Sequence, residues 1–240
     1  EEGEELVDPA ELVSQFQVGN LEPKVWETFE IKEKKGKKFG EVEITLVCDR
    51  SGSMEEGAKL IEQQKAAVLM MEALKEFADA CDEEKINMEH PLEVRSEVYS
   101  FQATDEDSKP LKKMSKELGE KERIEIAAIL SSAPGMKTTD FIPLEAIEAG
   151  FTESLKRKIL EGEVKKIVIV FTDGVSDNSQ RVKNILEKLR KGGIVALGVG
   201  VTESGAAALD TYAPDARLAE TAEKLPLVLG DLLKKHLVDI

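Results

Sequence analysis

The chain has 240 residues, 41% of them hydrophobic and 34% charged, with a formal net charge of −15. That length suits one α/β domain with a short appendage, and the hydrophobic share is enough for a sizeable core. The acidic excess argues against nucleic acid and anionic lipid as partners, since both call for a basic surface, and no apolar run approaches the ~18–20 residues that span a bilayer.

Residues 1–22 read as an acidic linker or tail with one short helix around 9–17. Glu1, Glu2, Glu4, Glu5, Asp8 and Glu11 lie there close together, with no Lys or Arg among the first eleven residues, a composition that stays solvated. The chain opens on Glu1-Glu2 rather than Met, so it reads as a processed or excised piece, and the missing secretory signal carries little weight. The domain proper is expected over residues 23–240. Trp26, Thr28, Glu30 and Lys32 alternate with Val25, Glu27, Phe29 and Ile31, the pattern of an edge strand. Lys34-Lys35-Gly36-Lys37-Lys38 follows as an exposed turn.

Residues 42–48 form a mostly apolar, β-branched run that fits a buried central strand. A helix is expected from about 56 to 81, with Leu60, Ala67, Met70, Met71, Leu74, Phe77, Ala78 and Cys81 on one face. Such a helix is on the order of 35–40 Å long, which carries Cys81 far from Cys48. A disulfide needs Cα atoms within about 7 Å, so both cysteines are expected as free, buried thiols. That fits a reducing compartment. Strands are expected at 92–101 and, at an edge, 109–115. Helices follow at 121–131 and 141–160, the second with Pro143 in its first turn, where a missing N–H does no harm. Val-Lys-Lys-Ile-Val-Ile-Val-Phe at 164–171 is the clearest buried strand. A helix at 179–191 is stopped by Gly192-Gly193. Strands at 194–201 and 216–219 and a helix at 224–238 close the chain. Strands alternating with helices imply an α/β fold: a Rossmann-like, mostly parallel sheet of about six strands with helices on both faces, plus an N-terminal edge strand.

Open parallel sheets bind ligands at the carboxyl ends of their strands. Three segments expected there are rich in oxygen: Asp49-Arg50-Ser51-Gly52-Ser53, Thr138-Thr139-Asp140 and Thr172-Asp173-Gly174. Each alone is an ordinary turn or helix cap. Together they supply carboxylates and hydroxyls without His or Cys, a donor set that selects a hard cation, Mg²⁺, with Mn²⁺ or Ca²⁺ as alternatives. Two carboxylates ~5 Å apart repel by about 3 kcal/mol at an effective dielectric of ~20, a cost that a divalent ion removes. Neutral hydroxyls from Ser51 and Ser53 leave the site able to accept one more anionic oxygen. A Glu or Asp carboxylate of a protein partner is the natural taker.

These three segments, in this order and spacing, resemble the metal-ion-dependent adhesion site of von Willebrand factor A domains, over about residues 40–240. The resemblance implies that Ser51 and Ser53 bind the metal directly, that Asp49 and Asp173 bind it directly or through water, and that Thr139 joins or leaves the coordination sphere. The usual small pair before the threonine is here Lys137-Thr138, which makes Thr138 a rival for that role. Asp140 is a second alternate. The stretches at 82–91 and 103–120 are longer than a minimal domain needs. The absent disulfides, the Lys/Glu-rich surface and Val-Cys-Asp-Arg-Ser-Gly-Ser-Met look like the intracellular prokaryotic branch. Its members act as non-catalytic, cytoplasmic accessory subunits of MoxR-type AAA+ ATPases or metal chelatases.

Two other readings compete. A surface adhesin would use the same site on a different partner. A Mg²⁺-dependent hydrolase finds little support, because the chain has no Gly-x-x-x-x-Gly-Lys-Ser/Thr loop and no Gly-x-Ser-x-Gly elbow. Gly198-x-Gly200 lacks the third glycine of a dinucleotide fingerprint. The two histidines, His90 and His236, lie away from the loop edge and read as surface residues.

Overall fold

The computed structural model describes residues 2–6, 26–30, 40–84 and 92–237. Two short strands, β1 (Glu2–Leu6) and β2 (Trp26–Glu30), pair antiparallel as a ribbon of their own. The strand expected around Trp26 therefore forms, but its partner lies in the acidic stretch read as a linker, and it is not hydrogen-bonded to the main sheet. The short helix at 9–17, the lysine-rich turn at 34–38 and His90 fall outside the described residues.

The main sheet has six strands: β3 (Glu41–Asp49), β4 (Glu93–Phe101), β5 (Lys112–Ser115), β6 (Val164–Thr172), β7 (Val195–Val201) and β8 (Ala216–Ala219). Their spatial order is β5-β4-β3-β6-β7-β8, and every pair is parallel except β4–β5. The helices are α1 (Lys59–Glu84), α2 (Glu120–Leu130), α3 (Phe141–Ala149), α4 (Glu153–Glu161), α5 (Ser179–Lys191), α6 (Leu209–Tyr212) and α7 (Leu225–Leu237). This is the Rossmann-like α/β arrangement expected from the alternation of strands and helices.

Strand geometry points successive side chains to opposite faces, and β3 splits accordingly. Val42, Ile44, Leu46 and Cys48 pack with Ala67, Met70, Met71 and Leu74 of α1, Ile126 and Leu130 of α2, and Leu229 and Leu232 of α7. Val47 joins the other core with Leu144 and Ile147 of α3, Ile159 of α4, and Val182, Ile185 and Leu189 of α5. Toward the start of the strands this second face turns polar. Lys166 Nζ lies 3.0 Å from Glu43 and 3.3 Å from Glu97, and Thr45 donates to Glu97 at 2.6 Å. Burial of these charges is tolerated because each has its partner across the strand register.

Two helix boundaries differ from the periodicity. A 3₁₀ turn, Gly52–Glu55, precedes α1, and Gly57 at φ +64° separates the two, so the helix begins at Lys59 and not at 56. The helix expected over 141–160 is two helices. Gly150 ends α3, and the Thr152 hydroxyl accepts the Leu155 N–H at 3.3 Å as the N-cap of α4. Cys48 and Cys81 form no disulfide and are buried, as expected, and burial pushes the Cys48 thiol up to about 12. Among the described residues no helix is long and apolar enough to cross a membrane.

Candidate functional site

From β3 the chain passes to β4 on one side, while β6 pairs with the other side of β3. The carboxyl end of β3 is thus a topological switch point, where an open α/β sheet leaves a crevice between diverging loops. The three oxygen-rich segments meet there.

Asp49, the last residue of β3, is held at both its backbone groups by one side chain. Its N–H donates to Gln63 Oε1 at 3.1 Å, and Gln63 Nε2 donates to its carbonyl at 2.8 Å. The Asp49 carboxylate accepts the Ser51 N–H on Oδ1 and the Thr172 hydroxyl on Oδ2, both at 2.7 Å. The group is fully buried. Burial pushes its carboxyl up to about 6, against the pull of the Ser51 and Thr172 hydrogen bonds, and the Asp173 charge adds to the rise. Beside it runs a row of oxygens. Ser51 Oγ and Ser53 Oγ are 3.2 Å apart, and Ser53 Oγ donates to Asp173 Oδ1 at 2.7 Å. Asp173 Oδ2 takes the ammonium of Lys59 at 2.8 Å.

The loop that leads into Thr138-Thr139-Asp140 is stitched onto the first segment by backbone. Gly135 N–H donates to the Arg50 carbonyl at 3.0 Å, and Gly52 N–H donates to the Gly135 carbonyl at 2.6 Å. Arg50 reaches over to the Ser132 carbonyl at 2.9 Å. Thr139 is buried, but its hydroxyl is engaged away from the serine row. It accepts the Ala103 N–H at 3.0 Å and donates to Asp107 Oδ2 at 3.1 Å. Thr138 contributes its carbonyl to the Asp177 N–H at 3.0 Å. Asp140 is fully buried and accepts hydroxyl hydrogen bonds from Ser176 and Tyr212. Burial raises its pKa while those two bonds pull it down. Asp140 therefore ties the Thr139 loop to the loop after Asp173 and to α6. Four expected residues, Asp49, Ser51, Ser53 and Asp173, form one contiguous set, and Thr139 lies beside it on a different partner.

Three further residues shape the site and were not read from the sequence: Gln63, Lys59 and Asp107. Gln63 and Lys59 carry no local sequence signal for such a role. Asp107 sits in a 3₁₀ turn in the stretch noted only as long. Its Oδ2 accepts N–H groups of Gln102 (2.9 Å), Ala103 (2.8 Å) and Thr104 (3.1 Å) besides the Thr139 hydroxyl, and its Oδ1 accepts the Thr104 hydroxyl at 2.8 Å. A Thr-x-x-Asp spacing is a capping signal that would have found it. Replacing a charged acceptor by a neutral one weakens each of these bonds, so Asp107→Asn is expected to lower stability by about 1–2 kcal/mol. Urea unfolding checks this; an unchanged midpoint would mean the turn holds itself.

The side chains of the three segments that could hold a metal, Asp49, Ser51, Ser53 and Asp173, offer only oxygens. Among the described residues no group of three or more His, Cys, Asp or Glu side chains is placed to hold a metal. A cation here must therefore draw on hydroxyls as well as carboxylates, a combination that suits a hard divalent ion.

Residues 43–226 match the family model of the von Willebrand factor type A domain. The chain belongs to this family. It is 27% identical over 199 residues to an uncharacterized protein of Treponema pallidum (strain Nichols), a match covering 81% of this chain and 32% of that protein. The chain thus spans about a third of the length of that relative. Among solved structures it is similar to the pilus adhesin SpaC of Lactobacillus rhamnosus GG in an open conformation (TM-score 0.60, 15% identity, covering 88% of this chain and 32% of that one). It is also similar to proximal thread matrix protein 1 from the mussel byssus with a zinc-occupied MIDAS motif (TM-score 0.54, 19% identity, covering 82% and 46%). At these identities the two structures speak for the fold. A von Willebrand factor A domain is in general a module for engaging protein partners, and the oxygen-lined crevice lies at the carboxyl ends of the strands, where open α/β sheets in general bind ligands.

Proposed function

We propose that this domain grips an acidic residue of a protein partner through a divalent cation, Mg²⁺ in the first place, held by Asp49, Ser51, Ser53 and Asp173. The observation that carries this reading is the unbroken oxygen row from Ser51 through Ser53 to Asp173, set beside the buried Asp49 carboxylate. When bound, the cation supplies positive charge and a coordination position for an outside oxygen. The side chains supply the rest. Asp49 and Asp173 balance the charge, the serine hydroxyls add neutral ligands, and Gln63 keeps the end of β3 from shifting. Thr139 is the residue whose partner changes: it leaves Asp107 when it turns toward the serine row. Asp140 is a weaker candidate as a ligand, since it is already committed to Ser176 and Tyr212, while Thr138 stays the rival of Thr139 for the threonine role. The role is non-catalytic.

The partner we favour is an AAA+ ATPase of the MoxR type, with the domain as a cytoplasmic accessory subunit. Two buried thiols that form no disulfide fit a reducing compartment. A surface-adhesin role is the second reading, drawn from the similarity to a pilus adhesin. Capture from a lysate of the source organism separates them. In Mg²⁺, wild-type protein is expected to retain a partner that EDTA releases and that Asp173→Ala does not retain. An ATPase in that fraction favours the first role. Retention indifferent to both EDTA and the substitution would sink the metal-grip reading.

A further inference from the structure

Lys59 is the first residue of α1, and its side chain turns back over the loop that carries the serines. Its ammonium lies 2.8 Å from Asp173 Oδ2 and 3.2 Å from the Ser53 carbonyl, with the exposed Glu56 farther off at 3.8 Å. The Lys59 side chain is only 11% exposed and that of Asp173 0%, so this is a desolvated pair. Asp173 is divided between two partners. Oδ2 meets the ammonium, while Oδ1 meets the Ser53 hydroxyl. Lys59 thus offsets the charge of the carboxylate without taking the oxygen that belongs to the serine row.

We propose that Lys59 sets the charge of the metal site: it weakens cation binding and makes the loaded site select an anionic ligand. This rests on the reading of Asp49, Ser51, Ser53 and Asp173 as metal ligands. Two carboxylates against one ammonium leave one negative charge, which a divalent cation converts to one positive charge. With a neutral residue at position 59 the same cation would leave the set neutral, with little attraction for a carboxylate. Nearby groups do not alter this difference. Arg50, Asp107 and Asp140 keep their own hydrogen-bond partners whichever residue stands at position 59, so their charges cancel from the comparison. A lysine that merely propped the loop would act differently, because its loss would weaken cation and anion binding together. The charge role predicts changes of opposite sign.

The test uses the whole chain with Lys59→Met and Lys59→Arg, at low ionic strength. Mn²⁺ affinity is read from the paramagnetic resonance signal of the free ion. Anion affinity is read from the fluorine relaxation of trifluoroacetate added to the Mn²⁺-loaded protein. Lys59→Met is expected to bind Mn²⁺ about tenfold more tightly and trifluoroacetate roughly threefold or more less tightly, with Lys59→Arg close to wild type in both. A Met variant that binds Mn²⁺ no better than wild type overturns the role of Lys59 while leaving the metal site standing. A folded wild-type protein that takes up no Mn²⁺ overturns the metal site and this inference with it.

Discussion

Asp49→Asn is expected to abolish the stabilisation that Mg²⁺ gives the wild-type protein, while the variant itself stays at least as stable as the metal-free wild type at pH 7.5. The sign follows from the buried carboxyl. Its pKa is raised by burial from 3.8 to about 6, so the metal-free fold favours its protonated form. That contribution is fully present below the unfolded value near 4 and is lost as pH rises through about 6. The loss is roughly 3 kcal/mol. Asparagine carries no charge and escapes it. Its amide oxygen can keep the Ser51 N–H. Its NH₂ can donate to Thr172 Oγ1, whose own proton can pass to the Gly174 carbonyl 3.2 Å away. In the wild type a cation at about one hundred times its Kd adds about 2.7 kcal/mol, or roughly 5–10 °C for a domain of this size. That gain should shrink between pH 7.5 and pH 5, where protons compete for Asp49. Thermal unfolding in Mg²⁺ and in EDTA at both pH values measures all of this. Equal stabilisation of wild type and Asp49→Asn by Mg²⁺ would remove Asp49 from the site.

The central strands β3 and β6 were legible because they are mostly apolar runs rich in β-branched residues, and burial on both faces is what such runs report. Helix α1 was legible along its face, and all but its two ends followed the apolar stripe. The break between α3 and α4 was hidden for a physical reason. Leu144, Ile147, Phe151, Leu155 and Ile159 keep a three-or-four spacing straight through it, and the two helices and the Phe151 between them pack into the same core. Only Gly150 and the Thr152 cap disclose the stop. β1 was illegible because Glu-Gly-Glu-Glu-Leu has little strand propensity, and its pairing with β2 depends on a partner twenty or more residues away. At the site, the donors announced themselves through their spacing. The residues that hold them did not. Gln63 reaches Asp49, and Lys59 reaches Asp173, only because the start of α1 lies against the ends of β3 and β6. A helix-surface Gln or Lys has no local signal for such a role. Thr139 shows the same limit from the other side, since its place in the chain was evident and its attachment to Asp107 was not.

Gly135→Ala should damage both the fold and the site. An added Cβ would lie 2.7 Å from Gln102 Cα and 2.8 Å from the carbonyl oxygens of Arg50 and Gln102. All three obstacles are backbone, so no side chain can rotate away, and one strand end must move. Overpacking of this kind costs about 3 kcal/mol, or roughly 6–12 °C in a domain of this size. The movement would fall on the bridge between Ser51 and Gly135, where Gly135 exchanges hydrogen bonds with Arg50 and Gly52 on either side of Ser51. Opening that bridge shifts Ser51 out of the oxygen row and draws the Thr139 loop away from it, so the Mg²⁺-dependent rise in Tm should fall together with the baseline. Gly150→Ala serves as the comparison. Its Cβ would meet nothing closer than 3.5 Å, and its backbone at φ −74° accepts alanine, so it should leave both quantities near wild type. A Gly135→Ala protein with wild-type Tm and a wild-type response to Mg²⁺ would show that the loops can separate at this point without disturbing the metal set, and that the backbone bridge is not what positions Ser51.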